Sequence, residues 1–153
     1  MTETESLRLA MRAWTTGVAV ILAEHEGESY GMTVNSFSSL SINPPLVTVT
    51  LRNDTRVFAL ADKSRAFHLV ILSESQKGLA EDFAGRLHGA ERMDSLGRGA
   101  SLLDEGLARL DCRVIHTYAA GENTLFVAEA TRASVRSTDH PLVYHNRGYH
   151  RIA

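Results

Sequence analysis

The sequence predicts a mostly antiparallel β-barrel with a few short α-helices packed outside it. Six or more apolar, β-branched runs have strand character, and only two or three helical segments interrupt them. Strands and helices do not alternate regularly, which argues against a doubly wound parallel sheet. No internal repeat or linker divides the 153 residues, so we expect one domain covering 1–153.

The chain is expected to begin with an amphipathic helix. Thr2 and Glu5 form a capping-box pattern, and apolar residues then recur at helical spacing. Gly17 is of the type that ends a helix. We expect Met11 and Trp14 on this helix to face the core.

The strands are predicted from β-branched runs bounded by turn residues. In order they are 17–25 and 30–34 as a hairpin around the turn 25–28, then 46–51 after a double proline, 66–72, 109–117 and 124–135, and a closing hairpin of 142–144 with 149–152. The polar, Gly-rich stretch 91–108 is predicted to be a surface loop.

Two helices are predicted between these strands. The first covers 55–61 and has Asp54 as its expected cap. The second begins at a capping-box pair, Ser73 with Gln76, and continues through Phe83.

Composition excludes several functional classes. The net charge is −2 and the pI is near 6.4, so the chain lacks the basic excess typical of nucleic-acid binding. No apolar run is as long as the roughly 18–20 residues of a membrane span, and the N-terminus does not resemble a signal peptide. Cys112 has no second cysteine to pair with and is expected to be a small buried side chain. These features predict a cytoplasmic protein.

The stretch 31–51 is the most informative for function. Small neutral donors in such a run can surround a phosphate or the edge of a flat heteroaromatic ring. A solvated Ser-rich loop is the alternative, but Val34 and Phe37 within the run indicate packing, and Pro44-Pro45 returns the chain directly to a strand. The polar residues are Thr33, Asn35, Ser36, Ser38, Ser39 and Ser41.

Two further positions have features of an anion site. Thr55 and Arg56 stand at the predicted start of a short helix, where a hydroxyl and an arginine favour an anion, although a simple cap has the same pattern. Arg86 closes the next helix, where it is suited either to binding a phosphate or to the helix dipole.

The sequence resembles the flavin reductase-like family of short FMN-binding split-barrel proteins, which includes reductase components of two-component flavin monooxygenases. The resemblance covers about residue 7 to the end. The segments that carry it are LRLAMRAWTTGVAVILA, GMTVNSFSSLSINPPLVTVTL, FAGR at 83–86, LDCRVI at 110–115 and LVYHNRGYHRI at 142–152.

The resemblance implies a homodimeric split β-barrel that binds FMN or FAD and reduces it with NADH or NADPH for a partner monooxygenase. It implies that Thr50 and Leu51 place backbone beside the flavin ring, and that Thr55, Arg56 and Arg86 lie near its phosphate or adenine end. It also implies a lining of the ring and ribityl chain by Met32, Thr33, Asn35, Ser36, Ser38 and Ser39, with Phe83 in the associated FAGR segment.

One position departs from the family pattern. The family usually has Gly-Asp-His before the strand of the LFVAEA type, and this chain has Gly121-Glu122-Asn123. An amide can hydrogen-bond to a flavin or a carboxamide but cannot act as a proton donor that titrates near neutrality. The chain is therefore interpreted as a flavin reductase. The alternative is a flavin-binding protein or oxidoreductase with weak or no independent reductase activity.

The histidines do not indicate a metal site. His140, His145 and His150 are five residues apart, which fits no usual metal motif, so we expect surface or dimer contacts for them. His68 and His116 lie in predicted strands and are expected to have structural roles.

Overall fold

The computed structural model describes residues 1–84, 90–92 and 105–152. The helices are α1 (Glu3–Met11), α2 (Arg56–Ser64) and α3 (Lys77–Ala84), with a 3-10 turn at Glu74–Gln76 before α3. The strands are β1 (Thr16–Gly17), β2 (Ala19–His25), β3 (Glu28–Val34), β4 (Ser38–Ser41), β5 (Leu46–Arg52), β6 (Ala66–Ile71), β7 (Ala90–Arg92), β8 (Ala108–Ala120), β9 (Asn123–Val135), β10 (Leu142–His145) and β11 (Gly148–Arg151).

The strands form two antiparallel sheets. Eight strands pair in the order β4-β5-β9-β8-β6-β2-β3-β7, and three pair in the order β1-β10-β11. In the described residues the two edge strands of the large sheet, β4 and β7, do not pair with each other, so the barrel is open along one side. The predicted class, an antiparallel split barrel with short helices, is confirmed.

The core lies on both faces of β2. Ile21 and its alternate neighbours pack in the main cluster with Phe67 and Phe126, whereas Val20 packs in a second cluster with Phe83. This follows from the period of two along a strand, because GVAVILAEH is apolar at successive positions and therefore serves both faces.

The helices occupy different positions relative to these clusters. α3 packs on the second cluster through Leu79 and Ala80, outside the main core. α2 packs its apolar face, with Val57 and Leu60, into the main cluster and leaves Arg56, Asp62 and Lys63 exposed on its other face.

The helix α1 forms as predicted but packs differently. Its capping box is present, since the Thr2 hydroxyl accepts from the Glu5 N–H and the Glu5 carboxylate accepts from the Thr2 N–H. The prediction that its apolar residues face the core is wrong: Met11 is 53% exposed and Trp14 65%. No residue of α1 is buried. Helical spacing identifies an apolar face but not the surface that covers it.

Several predicted boundaries are corrected. The first helix ends at Met11 rather than near Gly17, which lies in β1. Thr55, not Asp54, caps α2: its hydroxyl accepts from the Phe58 N–H, while Asp54 pairs with Arg52.

The predicted loop 91–108 and the Ser-rich run also differ from expectation. Residues 90–92 form β7, which pairs with β3, and β8 begins at Ala108. Residues 93–104 of the predicted loop lie outside the described residues. The Ser-rich run contains a short strand, β4, between β3 and β5.

The turns of both predicted hairpins are confirmed. Glu26 and Gly27 join β2 to β3, and Asn146 and Arg147 join β10 to β11; all four have positive φ, as two-residue hairpin loops of this class require. Cys112 is buried as expected, and burial raises the pKa of its thiol to about 12. In the described part of the chain, no helix has both the length and the apolar character that a bilayer crossing needs.

Candidate functional site

Two small clefts adjoin at the end of β3, on either side of Asn35. One has a volume of about 200 Å³ and the other about 160 Å³, and both have Val18, Val34 and Asn35 in their walls. The first is completed by Thr16, Gly17, Ala19, Phe37 and Ile71, and the second by Thr33, Ala84, Tyr144 and Tyr149.

The lining of both clefts is neutral. Apolar side chains alternate with an amide and hydroxyls, and no residue with a formal charge is among the described ones that line them. Burial raises the pKa of Tyr149, so its phenol remains neutral at ordinary pH. Neutral donors and acceptors between apolar walls are suited to a flat, uncharged heteroaromatic ring.

Two polar side chains in these walls have hydrogen-bonding groups that no described protein group uses. The Asn35 side chain is exposed, and its amide makes no hydrogen bond within the described residues. Thr16 Oγ1 is buried, and no described protein group pairs with it. Buried polar atoms are nearly always paired in native proteins, so this oxygen requires an explanation.

The backbone around Asn35 is fixed on both sides. Thr33 Oγ1 donates to the Ala80 carbonyl on α3 at 2.7 Å. Ser36 Oγ donates to the Thr50 carbonyl at 2.8 Å and accepts from the Thr50 N–H at 3.3 Å. The segment 33–36 is therefore held between α3 and β5, and Asn35 is left facing solvent and the clefts.

The structure brings only part of the predicted site together. Thr33 and Asn35 line the clefts, and Ser36 and Thr50 bond to each other beside them. Ser38 and Ser39 are exposed on β4 and are not in the lining of either cleft.

Three other predicted residues are buried in the core. The side chains of Met32 and Leu51 belong to the main cluster, and that of Phe83 belongs to the second cluster. Their side chains support the elements next to the clefts rather than lining them. Arg86 lies outside the described residues.

The predicted phosphate residues have protein partners. The Thr55 hydroxyl donates to the Arg52 carbonyl and accepts from the Phe58 N–H, so its role in the structure is to cap α2. Arg56 bonds to Glu28, which raises the pKa of its guanidinium, and lies 5.9 Å from the Tyr30 ring. Glu28 starts β3 and Val34 ends it, which places the pair about 20 Å along the strand from Asn35.

Asn123 lies at the tip of the long β8–β9 hairpin, half-buried. It pairs with Arg52 across β5 and β9, and Arg52 is two residues beyond Thr50. Asn123 and Thr50 therefore project from the same face of the sheet, because side chains alternate with a period of two. Ser36 bonds to the backbone of Thr50 in the same strand.

The predicted structural role of His68 is supported by its partner. His68 Nδ1 lies 2.6 Å from Asp111 Oδ1, and Arg109 Nε donates to the same oxygen at 2.9 Å. Partial burial by itself would raise the pKa of Asp111, but the hydrogen bonds from Arg109 and His68 outweigh it and lower the pKa. His116 is exposed, with its ring 6.0 Å from the Tyr118 ring.

The three C-terminal histidines lie on the surface. His145 Nδ1 is 3.0 Å from the Thr15 hydroxyl, and His150 Nε2 is 3.1 Å from the His145 carbonyl. His140 is 3.9 Å from Glu74. Within residues 1–84, 90–92 and 105–152, no three ligating side chains gather as a metal site would need.

Of the twelve residues that line the two clefts, the sequence-based prediction of the site included only Thr33 and Asn35. Thr16, Ile71, Tyr144 and Tyr149 come from β1, β6, β10 and β11, which are distant in sequence from Asn35. The one available signal was Phe37, an apolar residue inside a polar run, which does line a cleft. The others have no local pattern that distinguishes them from ordinary strand residues.

Comparison with known proteins agrees with this architecture. A family model described as a flavin reductase like domain matches residues 11–153. The chain is 32% identical over 149 residues to the reductase component of 4-hydroxyphenylacetate 3-monooxygenase from Thermus thermophilus, covering 97% of this chain and 96% of that one. It is 33% identical to the NADH-dependent flavin reductase StyB of Pseudomonas fluorescens, with 94% and 86% of the two chains covered.

A solved structure gives the same result at the level of the fold. The native-state structure of the flavin reductase PheA2 superposes with a TM-score of 0.82 at 32% identity, covering 100% of this chain and 99% of that one. The family match over nearly the whole chain and these similarities agree with each other, and this chain belongs to the flavin reductase-like family.

Proposed function

We propose that this protein is an NADH-dependent flavin reductase that supplies reduced FMN or FAD to a partner monooxygenase. The observation that carries the proposal is the pair of neutral clefts around Asn35. It is supported by two relatives that are named as a reductase component and a flavin reductase, with 96% and 86% of their lengths matched. NADPH is the alternative electron donor, and FMN and FAD share the ring system that the clefts would hold.

The clefts fit a flavin by the chemistry of their walls. We assign ring contacts to Thr33, Asn35, Ser36 and Thr50, with Phe37 as the aromatic wall. A bound flavin supplies the hydride chemistry. The residues of this chain bind the ring, orient it and exclude water from its faces. The fixed segment 33–36 provides the preorganisation that such binding needs.

Steady-state oxidation of NADH and NADPH, with FMN, FAD or riboflavin added, tests the activity. We expect flavin-dependent NADH oxidation well above the rate without protein. Absence of nucleotide oxidation with all three flavins, in a protein that is folded by circular dichroism, would refute the proposal.

Asn123 supports one alternative, a flavin-binding protein with weak or no reductase activity of its own. The two functions differ in the expected effect of Asn123→His. Direct hydride transfer between stacked rings requires no general acid, so we expect this variant to change the NADH turnover number less than about threefold. A gain on the order of a hundredfold or more, the size of a general acid–base contribution, would instead favour the alternative.

A pH profile and a matched variant sharpen this comparison. Asn123→His introduces a group that titrates near pH 6.5, whereas Asn123→Gln keeps an amide. We expect the profiles of the wild-type protein and the two variants to coincide between about pH 6 and 8. A new inflection near pH 6.5 in the histidine variant alone, together with a large gain in rate, would contradict the main proposal.

We further propose that the protein is a homodimer and that α1 contributes to the interface. A nine-residue helix is too short to be stable in isolation, and α1 has no buried residue although Leu7 and Met11 are apolar. Trp14, three residues beyond the end of α1, is exposed as well. Exposed apolar groups of this kind mark interaction surfaces.

Sedimentation velocity tests the oligomeric state. We expect the wild-type protein to sediment as a dimer, at about twice the 16.8 kDa mass of one chain. Trp14→Glu is expected to shift the population toward single chains of 16.8 kDa. Lys63→Glu, a charge reversal on the exposed face of α2, serves as the control. A wild-type protein that sediments as one chain at micromolar concentration would refute this part.

Two broader predictions complete the proposal. Residues 1–153 are expected to fold as one domain, which is supported by the pairing of β1 with β10 near the opposite end of the chain. The cytoplasm remains the predicted location.

A further inference from the structure

We infer that the Thr16 hydroxyl is a further flavin-binding group, which hydrogen-bonds to a polar edge of the flavin ring system in the cleft beside Asn35. The inference rests on the proposed function, because it adds a contact to the same site. Its test uses ligand binding and protein stability rather than turnover.

The first step in the argument is the state of the oxygen itself. Thr16 Oγ1 is buried and pairs with no described protein group, and Thr16 lines the 200 Å³ cleft. Leaving a buried hydroxyl unsatisfied is costly, so such a group is retained where something else uses it. A ligand in the cleft would supply the missing partner.

The hydroxyl of the preceding residue, just before β1, has a protein partner. Thr15 Oγ1 lies 3.0 Å from His145 Nδ1 on the tail hairpin. Thr16 is one residue further along, in β1, where its backbone pairs with Tyr144. The exposed hydroxyl of Thr15 therefore has a protein partner, whereas the buried hydroxyl of Thr16 has none and lies in the wall of a cleft.

The surroundings of Thr16 indicate which part of a flavin it would meet. Val18, Phe37 and Ile71 form apolar walls, and none of the described lining residues of this cleft carries a charge. Burying a charged phosphate there without a cation would be unfavourable, whereas a neutral ring can be buried without that cost. A flavin ring carries both N–H and carbonyl groups along one edge, and a hydroxyl both donates and accepts.

Space at the adjacent residue agrees with this placement. Gly17 lines the same cleft, and a Cβ built there would meet nothing within 4 Å. Gly17 therefore contributes backbone without a side chain to the wall next to Thr16. Neither cleft alone has the ~300 Å³ of a typical ligand pocket, but they adjoin along Val18, Val34 and Asn35.

The decisive variant is Thr16→Val, which keeps the branched shape and removes the hydroxyl. We expect the melting temperature of the ligand-free protein to be unchanged or raised, because an unsatisfied buried group has been removed. We expect the dissociation constants of riboflavin and FMN, from quenching of flavin fluorescence, to rise about tenfold and by equal factors. Thr16→Ser should bind both flavins within about threefold of wild type.

Thr15→Val is the matched control, since it removes the neighbouring hydroxyl. It is expected to lower the melting temperature slightly, through loss of the contact with His145, and to leave flavin affinity unchanged. If the Thr16 hydroxyl binds flavin, Thr16→Val loses flavin affinity but not thermal stability, whereas Thr15→Val loses thermal stability but not flavin affinity.

Three results would overturn the inference. One is a Thr16→Val protein that binds riboflavin and FMN as wild type does. Another is a melting temperature for ligand-free Thr16→Val that falls further than that of Thr15→Val, which would assign the hydroxyl a structural role. The third is a loss of affinity for NADH alone. Wild-type protein that binds no flavin would instead refute the proposed function, so the two failures are distinguishable.

Discussion

Gly106→Ala is expected to lower the free energy of unfolding by about 3 kcal/mol. Gly106 has φ of +91°, a conformation that side chains with a Cβ rarely adopt. An added Cβ would also lie 2.7 Å from the Ile71 carbonyl oxygen and 2.7 Å from Val70 Cγ1. The Ile71 carbonyl cannot move freely, because it accepts a hydrogen bond from the Leu107 N–H at 2.8 Å.

Urea unfolding followed by circular dichroism measures this effect, and Gly78→Ala provides the control. Gly78 lies within α3, and a Cβ there meets nothing within 4 Å, so alanine is expected to stabilise the protein by roughly 0.5–1 kcal/mol. The two glycine substitutions thus have opposite expected signs. A Gly106→Ala protein within about 0.5 kcal/mol of wild type would show that the 105–107 segment accommodates the side chain.

The effect is also expected to extend to the clefts. Ile71 both accepts the hydrogen bond next to Gly106 and lines the cleft that contains Thr16. Displacement of the Ile71 backbone therefore changes the wall of the candidate site. Riboflavin affinity of Gly106→Ala, measured at a temperature where the variant is folded, should fall along with its stability.

Asn35→Asp is expected to have the largest effect on flavin binding, an increase in the dissociation constants of riboflavin and FMN of about thirtyfold, or ~2 kcal/mol. Asn35 is in the wall of both clefts. Aspartate has the same shape but no N–H to donate. It also adds a negative charge where no described lining residue supplies a cation.

Fluorescence titration of both flavins measures the loss, and Asn146→Asp is the control. That substitution makes the same chemical change in the exposed turn of the tail hairpin, outside the lining of either cleft. We expect the control to bind flavin as wild type does and both variants to melt near the wild-type temperature. If Asn35→Asp binds riboflavin within threefold of wild type, the clefts around Asn35 are not the flavin site.

Local patterns carried much of the fold. Apolar, β-branched runs predicted most of the strands, and the turn residues at 25–28 and 146–148 predicted both hairpins. These features depend only on the few neighbouring residues that form them, so they can be predicted from the sequence alone. The same holds for the capping box of α1, which spans four residues.

Competition between neighbouring residues was less predictable. Asp54 and Thr55 are both good caps, and in the structure Thr55 caps α2 while Asp54 pairs with Arg52. Likewise, Arg56 at the start of α2 has the type and position of an anion-binding residue, yet it bonds to Glu28 on β3. Such outcomes depend on which partner the fold brings near.

The candidate site divides in the same way. The sequence by itself determined the antiparallel class, the polar segment 33–36 and the family resemblance, because each is written in contiguous residues. Only the tertiary structure decided that Thr16, Ile71 and Tyr149 join Asn35, and that Met11 and Trp14 are exposed. Burial and cleft lining are properties of contacts between distant segments, and those contacts exist only once the strands have paired.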